Sequence, residues 1–265
     1  MAINVETIKL DGISIKYFRF GTEGKPKIVI IPGLSLQSVT NSAQAIAKQY
    51  EIFANDYELY LIDRNEDIHE GYSMQDMASD TIKALDYLNI SDANIMGASQ
   101  GGMIAQIIAI NAPKYVHSMV LCSTCSRVNP KDEVMNKWIH LAKSNDKEGL
   151  MEAFLQDVYT KDYYDKHKRA IKIFARYIKD EEMQRFVLMA SPLLGLNLVD
   201  QLSSVNIPTL VCASKQDKVV PLYCVEELIE KLNAESMILD DSSHAMYDES
   251  PEFLPRAYDF FKKFN

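Results

Sequence analysis

Gly97-Ala98-Ser99-Gln100-Gly101 sets a serine between two glycines, each two residues away. Ala93-Asn94-Ile95-Met96 before it is short and apolar enough for a buried strand, and Gly102 to Asn111 after it is apolar nearly all round, as a core helix would be. At such a strand-to-helix junction Gly-x-Ser-x-Gly forms a nucleophile elbow. The turn is so sharp that the positions two residues away must lack side chains. It projects the hydroxyl outward above a helix N-terminus that favours negative charge.

A serine hydroxyl is a weak nucleophile, so Ser99 needs a general base, and the base needs an orienting group. Of the five histidines, His69 sits in a polar loop, His117 just precedes a strand, and His140 and His167 fall on helical segments. His244 instead follows the last strand candidate through Asp240-Asp241-Ser242-Ser243, where a loop can approach Ser99. The orienting carboxylate should also follow a strand at that edge. Asp217, in Ser214-Lys215-Gln216-Asp217, does so; Asp240 and Asp241 are too close in sequence to reach the far ring nitrogen, and Glu66 and Asp67 are outside rivals. Acyl transfer also needs donors for the oxyanion. The amide of Gln100 is one. The second is expected from the loop Pro32-Gly33-Leu34-Ser35, with Leu34 preferred and Ser35 the alternative.

The elements that would position these groups alternate along the chain. An alternating hairpin turns at Asp11-Gly12. Ile28–Ile31, Leu59–Ile62, Ile95-Met96, Met119–Cys122, Thr209–Ala213 and Met237–Leu239 read as further strands. Helical spacing over Met74–Leu88 and Leu222–Leu232 fills the gaps, and Pro251–Phe261 closes the chain. This alternation predicts a mostly parallel eight-stranded sheet with helices on both faces. From residue 127 to 204 no strand candidate appears, only helical segments around Lys131–Lys143, Lys147–Val158, Tyr164–Ile178 and Glu181–Ala190. The expected organisation is therefore a core of residues 1–126 and 205–265 with a helical cap, 127–204, inserted after the sixth strand. Its bulky apolar residues Trp138, Phe154, Phe174, Phe186 and Met189, with Ser35 from the core, are the candidate substrate pocket.

Composition narrows the partners. A formal charge of −9 over 265 residues and a pI near 5.1 argue against nucleic acid and anionic membranes. No apolar run approaches the roughly 20 residues a membrane span needs, and the N-terminus lacks a secretory pattern, so a cytoplasmic location is expected. Cys122-Ser123-Thr124-Cys125 has Cys-x-x-Cys spacing, but it ends a strand instead of opening a helix, and no second pair completes a zinc set. The cysteines read as packing residues, and no metal or organic cofactor is expected.

The elbow, the Pro32-Gly33-Leu34 loop, the chain order Ser99…Asp217…His244 and the helical insertion resemble an α/β-hydrolase-fold serine hydrolase over essentially the whole chain. The likeness is greatest to the capped esterase, enol-lactonase and C–C hydrolase branches. Pro32-Gly33 stands where that family usually has His-Gly, and Ser242-Ser243-His244 where Gly-Gly-His is frequent. The resemblance implies hydrolysis of a small or medium ester, thioester or lactone through an acyl-enzyme, with a small acyl-bearing molecule as partner and a monomer or homodimer as the working form. The alternatives are hydrolysis of a C–C bond in a ring-cleavage ketone, with Arg127, Arg169 and Arg176 as candidate cations, and a ligand-sensing protein on the same fold.

Overall fold

Strands β1 (Val5–Leu10) and β2 (Ile13–Gly21) join through the two residues Asp11-Gly12, and Gly12 supplies the left-handed φ of +70° this turn requires. β3 (Lys27–Ile31), β4 (Glu58–Asn65), β5 (Ala93–Ala98), β6 (Val116–Cys122), β7 (Thr209–Ser214) and β8 (Glu235–Leu239) complete a single sheet in the order β1-β2-β4-β3-β5-β6-β7-β8. The first two pairings are antiparallel and the other five parallel. This computed structural model describes residues 3–265, apart from the side chains of residues 170–172.

The inner strands are continuous apolar runs because helices cover both faces. On one face α2 (Met74–Tyr87), α3 (Gln100–Asn111) and α8 (Leu222–Leu232) bury Met77, Leu85, Ile104, Ile108, Val225 and Leu228. On the other, α1 (Ala43–Gln49) and α10 (Phe253–Phe264) bury Ala43, Phe253, Phe260 and Phe261 with Phe53. A short α9 (Met246–Glu249) precedes the closing helix. The sequence reading missed α1, whose seven residues are too few for a clear helical period.

Between β6 and β7 lie α4 (Glu133–Lys143), α5 (Lys147–Val158), α6 (Lys161–Ala175) and α7 (Asp180–Ala190). Asp132, Asp146 and Thr160 accept hydrogen bonds from the first turns of α4, α5 and α6, which fixes where each helix starts. That is why α6 begins at Lys161, three residues before the apolar spacing suggests. α4 packs on α5 and α7, and α5 on α6. One antiparallel bridge, Arg127 with Asn197, draws the two ends of the segment together. Among the described residues no helix is long and apolar enough to cross a membrane.

Candidate active site

Ser99 follows β5 and precedes α3, with φ +50° and ψ −119°, a conformation held only where the surroundings impose it. The flanking glycines are sterically required. A Cβ on Gly101 would lie 2.0 Å from the Ile31 carbonyl oxygen, and one on Gly97 would lie 2.7 Å from the Gly101 carbonyl oxygen. The end of β6 braces the turn: the Ser99 N–H donates to the Cys122 carbonyl at 2.9 Å, and the Thr124 hydroxyl donates to the Ser99 carbonyl at 2.7 Å. The Cys-Ser-Thr-Cys segment therefore supports the elbow, through a backbone carbonyl and a threonine.

The structure brings Ser99, His244 and Asp217 together from three strand ends. His244 Nε2 lies 3.0 Å from Ser99 Oγ, and its Nδ1 lies 2.8 Å from Asp217 Oδ2. The His244 and Asp217 side chains are only 4% and 1% exposed. The other carboxylate oxygen of Asp217 accepts from the Val219 and Val220 N–H groups at 2.8 and 2.9 Å, so its direction is fixed. A hydrogen bond from the Ser214 hydroxyl to the Ser242 carbonyl ties the loop of Asp217 to that of His244.

The rival groups are engaged elsewhere. His69 bonds the Glu70 carbonyl and His117 the Phe264 carbonyl, while His140 and His167 lie on α4 and α6. Asp240 pairs with Lys215 and Glu66 with Lys16, each at 2.7 Å. Arg127 pairs with Glu227 at 2.8 Å, and Arg169 and Arg176 are exposed at α6.

Leu34 and Ser99 line one cavity, and Gly33 packs so closely that a Cβ there would meet the Ser99 Cβ at 3.3 Å. Among the described residues neither the Leu34 nor the Gln100 N–H has an acceptor, which leaves both for an oxyanion. The Ser35 hydroxyl turns away to donate to the Gln37 carbonyl. Arg64, at the end of β4, was not identified from sequence. It is 5% exposed, and its guanidinium donates to the Pro32 carbonyl, holding the loop that carries Leu34. Burial pulls its pKa down to about 10, against the opposing pull of Asp63.

Over Ser99 and His244 is a narrow cavity of about 30 Å³, bounded by Met135, Trp138, Phe154, Leu193, Val219 and Tyr247. Phe154, Val158 and Tyr247 also line an open cleft of about 1040 Å³ between α1, the Pro32–Val39 segment and α5–α6. Of the expected pocket residues, Trp138 and Phe154 line the narrow cavity, while Ser35 and Phe174 line the cleft. Phe186 and Met189 line neither. Phe186 is fully buried edge-on to Phe154 within the helices, and Met189 is 1% exposed. These two pack α7 against its neighbours, which is the task most bulky apolar residues of an inserted helical layer perform.

The Cys122, Cys125 and Cys212 thiols are buried, and burial raises all three above the ordinary thiol range, Cys212 to about 12. Among the described residues no group of three or more His, Cys, Asp or Glu is placed to hold a metal.

The sequence pattern of the α/β hydrolase fold matches residues 26–169. The chain is 23% identical to 3-oxoadipate enol-lactonase 1 of Acinetobacter baylyi, over 92% of this chain and 91% of that protein. Its fold is similar to that of an α/β hydrolase enzyme from a Medee basin deep-sea metagenome library, with a TM-score of 0.87, 22% identity and 97% of each chain covered. The enol-lactonase of Burkholderia xenovorans superposes with a TM-score of 0.84 at 19% identity, covering 97% of this chain and all of that one.

Proposed function

The chain belongs to the α/β hydrolase fold family, and from that premise we propose that it is a serine hydrolase of small or medium esters, thioesters or lactones. Ser99 Oγ attacks the carbonyl carbon while His244 Nε2 takes its proton. Asp217 holds the ring through Nδ1 and stabilises the imidazolium that forms. The Gln100 and Leu34 N–H groups receive the developing oxyanion, each worth a few kcal/mol in the transition state. His244 then returns the proton to the leaving oxygen or sulfur, and water activated by the same imidazole releases the acyl group from Ser99.

The observation that carries this reading is the pair of contacts at His244, 3.0 Å to Ser99 Oγ and 2.8 Å to Asp217. The narrow cavity, with Trp138, Phe154 and Leu193 on its walls, suits a short acyl group at most, and the cleft beside it suits the leaving group. Similarity to a protein named an enol-lactonase supports acyl chemistry. The carbon–carbon alternative calls for a cation to grip a substrate carboxylate, and of the candidates Arg127 pairs with Glu227 while Arg169 and Arg176 are exposed at α6. The protein is proposed to act in the cytoplasm. Turnover of a panel of simple esters and lactones tests the reading: hydrolysis by the wild type but not by Ser99→Ala supports it. Absence of turnover across the panel would favour a ligand-sensing protein.

A further inference from the structure

The cleft beside Ser99 contains one charged side chain among the described residues that line it, Asp248 of α9. Its Oδ1 accepts from the Gln49 side-chain amide at 3.1 Å, and its Oδ2 accepts from the Tyr159 hydroxyl at 2.9 Å. Each carboxylate oxygen keeps a second lone pair beyond these hydrogen bonds. No described lysine, arginine or histidine pairs with it, and the nearby charge is another carboxylate, Glu249. An exposed carboxylate at the wall of a cleft, with no counter-ion of its own, is open to a cation that enters the cleft.

The walls around it are aromatic. Tyr50, Tyr159, Tyr163, Tyr247 and Phe174 line the same cleft; Tyr163 is packed between Tyr159 and His167, with ring centroids 4.1 and 4.3 Å away, while Phe174 is exposed. Aromatic faces beside a carboxylate, with no competing cation, are the chemistry that holds an ammonium group. Tyr247 borders both the cleft and the narrow cavity, so one substrate can occupy both.

We propose that this cleft binds a cationic, ammonium-bearing leaving group, held by Asp248 and the tyrosine faces, while the short acyl group sits at Ser99. This rests on the serine-hydrolase reading, of which it names the substrate class. It places Asp248 as a specificity residue. No proton moves at Asp248; the carboxylate and the rings act through charge and contact alone.

The test compares acetylthiocholine with its neutral isostere 3,3-dimethylbutyl thioacetate. Wild-type kcat/KM is expected to favour the cation by about tenfold or more at low ionic strength, the preference shrinking as salt is added. In Asp248→Asn the ratio of the two substrates should fall towards one. Taking the ratio on a single preparation cancels any loss of folded protein. Phe174→Leu, which keeps the carboxylate and alters an exposed ring of the cleft, should lower the ratio part of the way. A wild-type ratio at or below one, or a ratio unchanged in Asp248→Asn, overturns the proposal while leaving ester hydrolysis intact. Binding of choline over 3,3-dimethylbutan-1-ol to Ser99→Ala, read by calorimetry, supports the cleft without any turnover. If that preference appears in a protein that hydrolyses no ester, the hydrolase reading falls and the cation site stands.

Discussion

The side-chain amide of Gln100 donates to the Met189 carbonyl at 2.7 Å, joining the residue after the elbow serine to the end of α7. The bond is buried, with Gln100 1% exposed, so it is a buried polar tie between the elbow and α7. Gln100→Met keeps the volume and the backbone N–H but leaves the Met189 carbonyl unpaired. It is expected to cost about 1–3 kcal/mol in chemical denaturation. Its kcat should fall far less than that of Ser99→Ala, because the oxyanion donor remains.

Arg64→Met removes the donor that holds the Pro32 carbonyl. The loop bearing Leu34 would then sit less accurately over Ser99, and a small misplacement of this kind costs about tenfold to hundredfold in kcat. Thermal stability should fall little, since the change also removes a buried charge whose Nε and Nη1 have no partner. Steady-state kinetics beside thermal unfolding separates the two effects. A change confined to KM, or a collapse of stability, would contradict the positioning role.

On a p-nitrophenyl ester series, kcat/KM should be highest between acetate and hexanoate. Each methylene buried against Trp138 and Phe154 contributes up to about 0.8 kcal/mol. A cavity of about 30 Å³ has room for about one such group, so further methylenes gain only by displacing those rings, and long chains cannot. An optimum at dodecanoate would mean that the acyl group runs along the cleft instead.

Iodoacetamide reacts with thiolate, and burial raises the Cys122, Cys125 and Cys212 thiols, the last to about 12. The native protein should therefore resist labelling at these positions at neutral pH and keep full activity in reductant or EDTA. Labelling should appear on denaturation, when the thiols return to their ordinary range. Rapid modification of Cys122 or Cys125 in the native state, with loss of activity, would contradict the packing role. Mass spectrometry of the alkylated peptides reads the outcome.

Much of the site was legible because the chemistry follows strand ends. Ser99, Asp217 and His244 each sit just beyond a short apolar run, and parallel strands bring such positions to one edge. Gly97 and Gly101 were legible for the same steric reason that the structure displays. Arg64 was not, because a charged residue after a strand looks like any solvated loop position until the Pro32 carbonyl is placed beside it. The side chains of α4–α7 were only partly legible. Helical spacing marks an apolar face, but it does not say whether that face lines the cavity over Ser99, as at Trp138, or packs on another helix, as at Phe186. Asp248 lies on a four-residue helix with no pattern of its own. Its place in the cleft depends on α1 and α5–α6 arriving from distant parts of the chain.

The most direct test of the account is whether Ser99 is activated by His244 and Asp217. A fluorophosphonate probe should label the wild type once per chain, at Ser99, and should not label Ser99→Ala. His244→Ala should lose nearly all labelling, and Asp217→Asn should slow it by several orders of magnitude by disturbing the imidazole's tautomer and direction. Equal labelling of Ser99→Ala and wild type, or undiminished labelling of both His244→Ala and Asp217→Asn, would contradict the assignment.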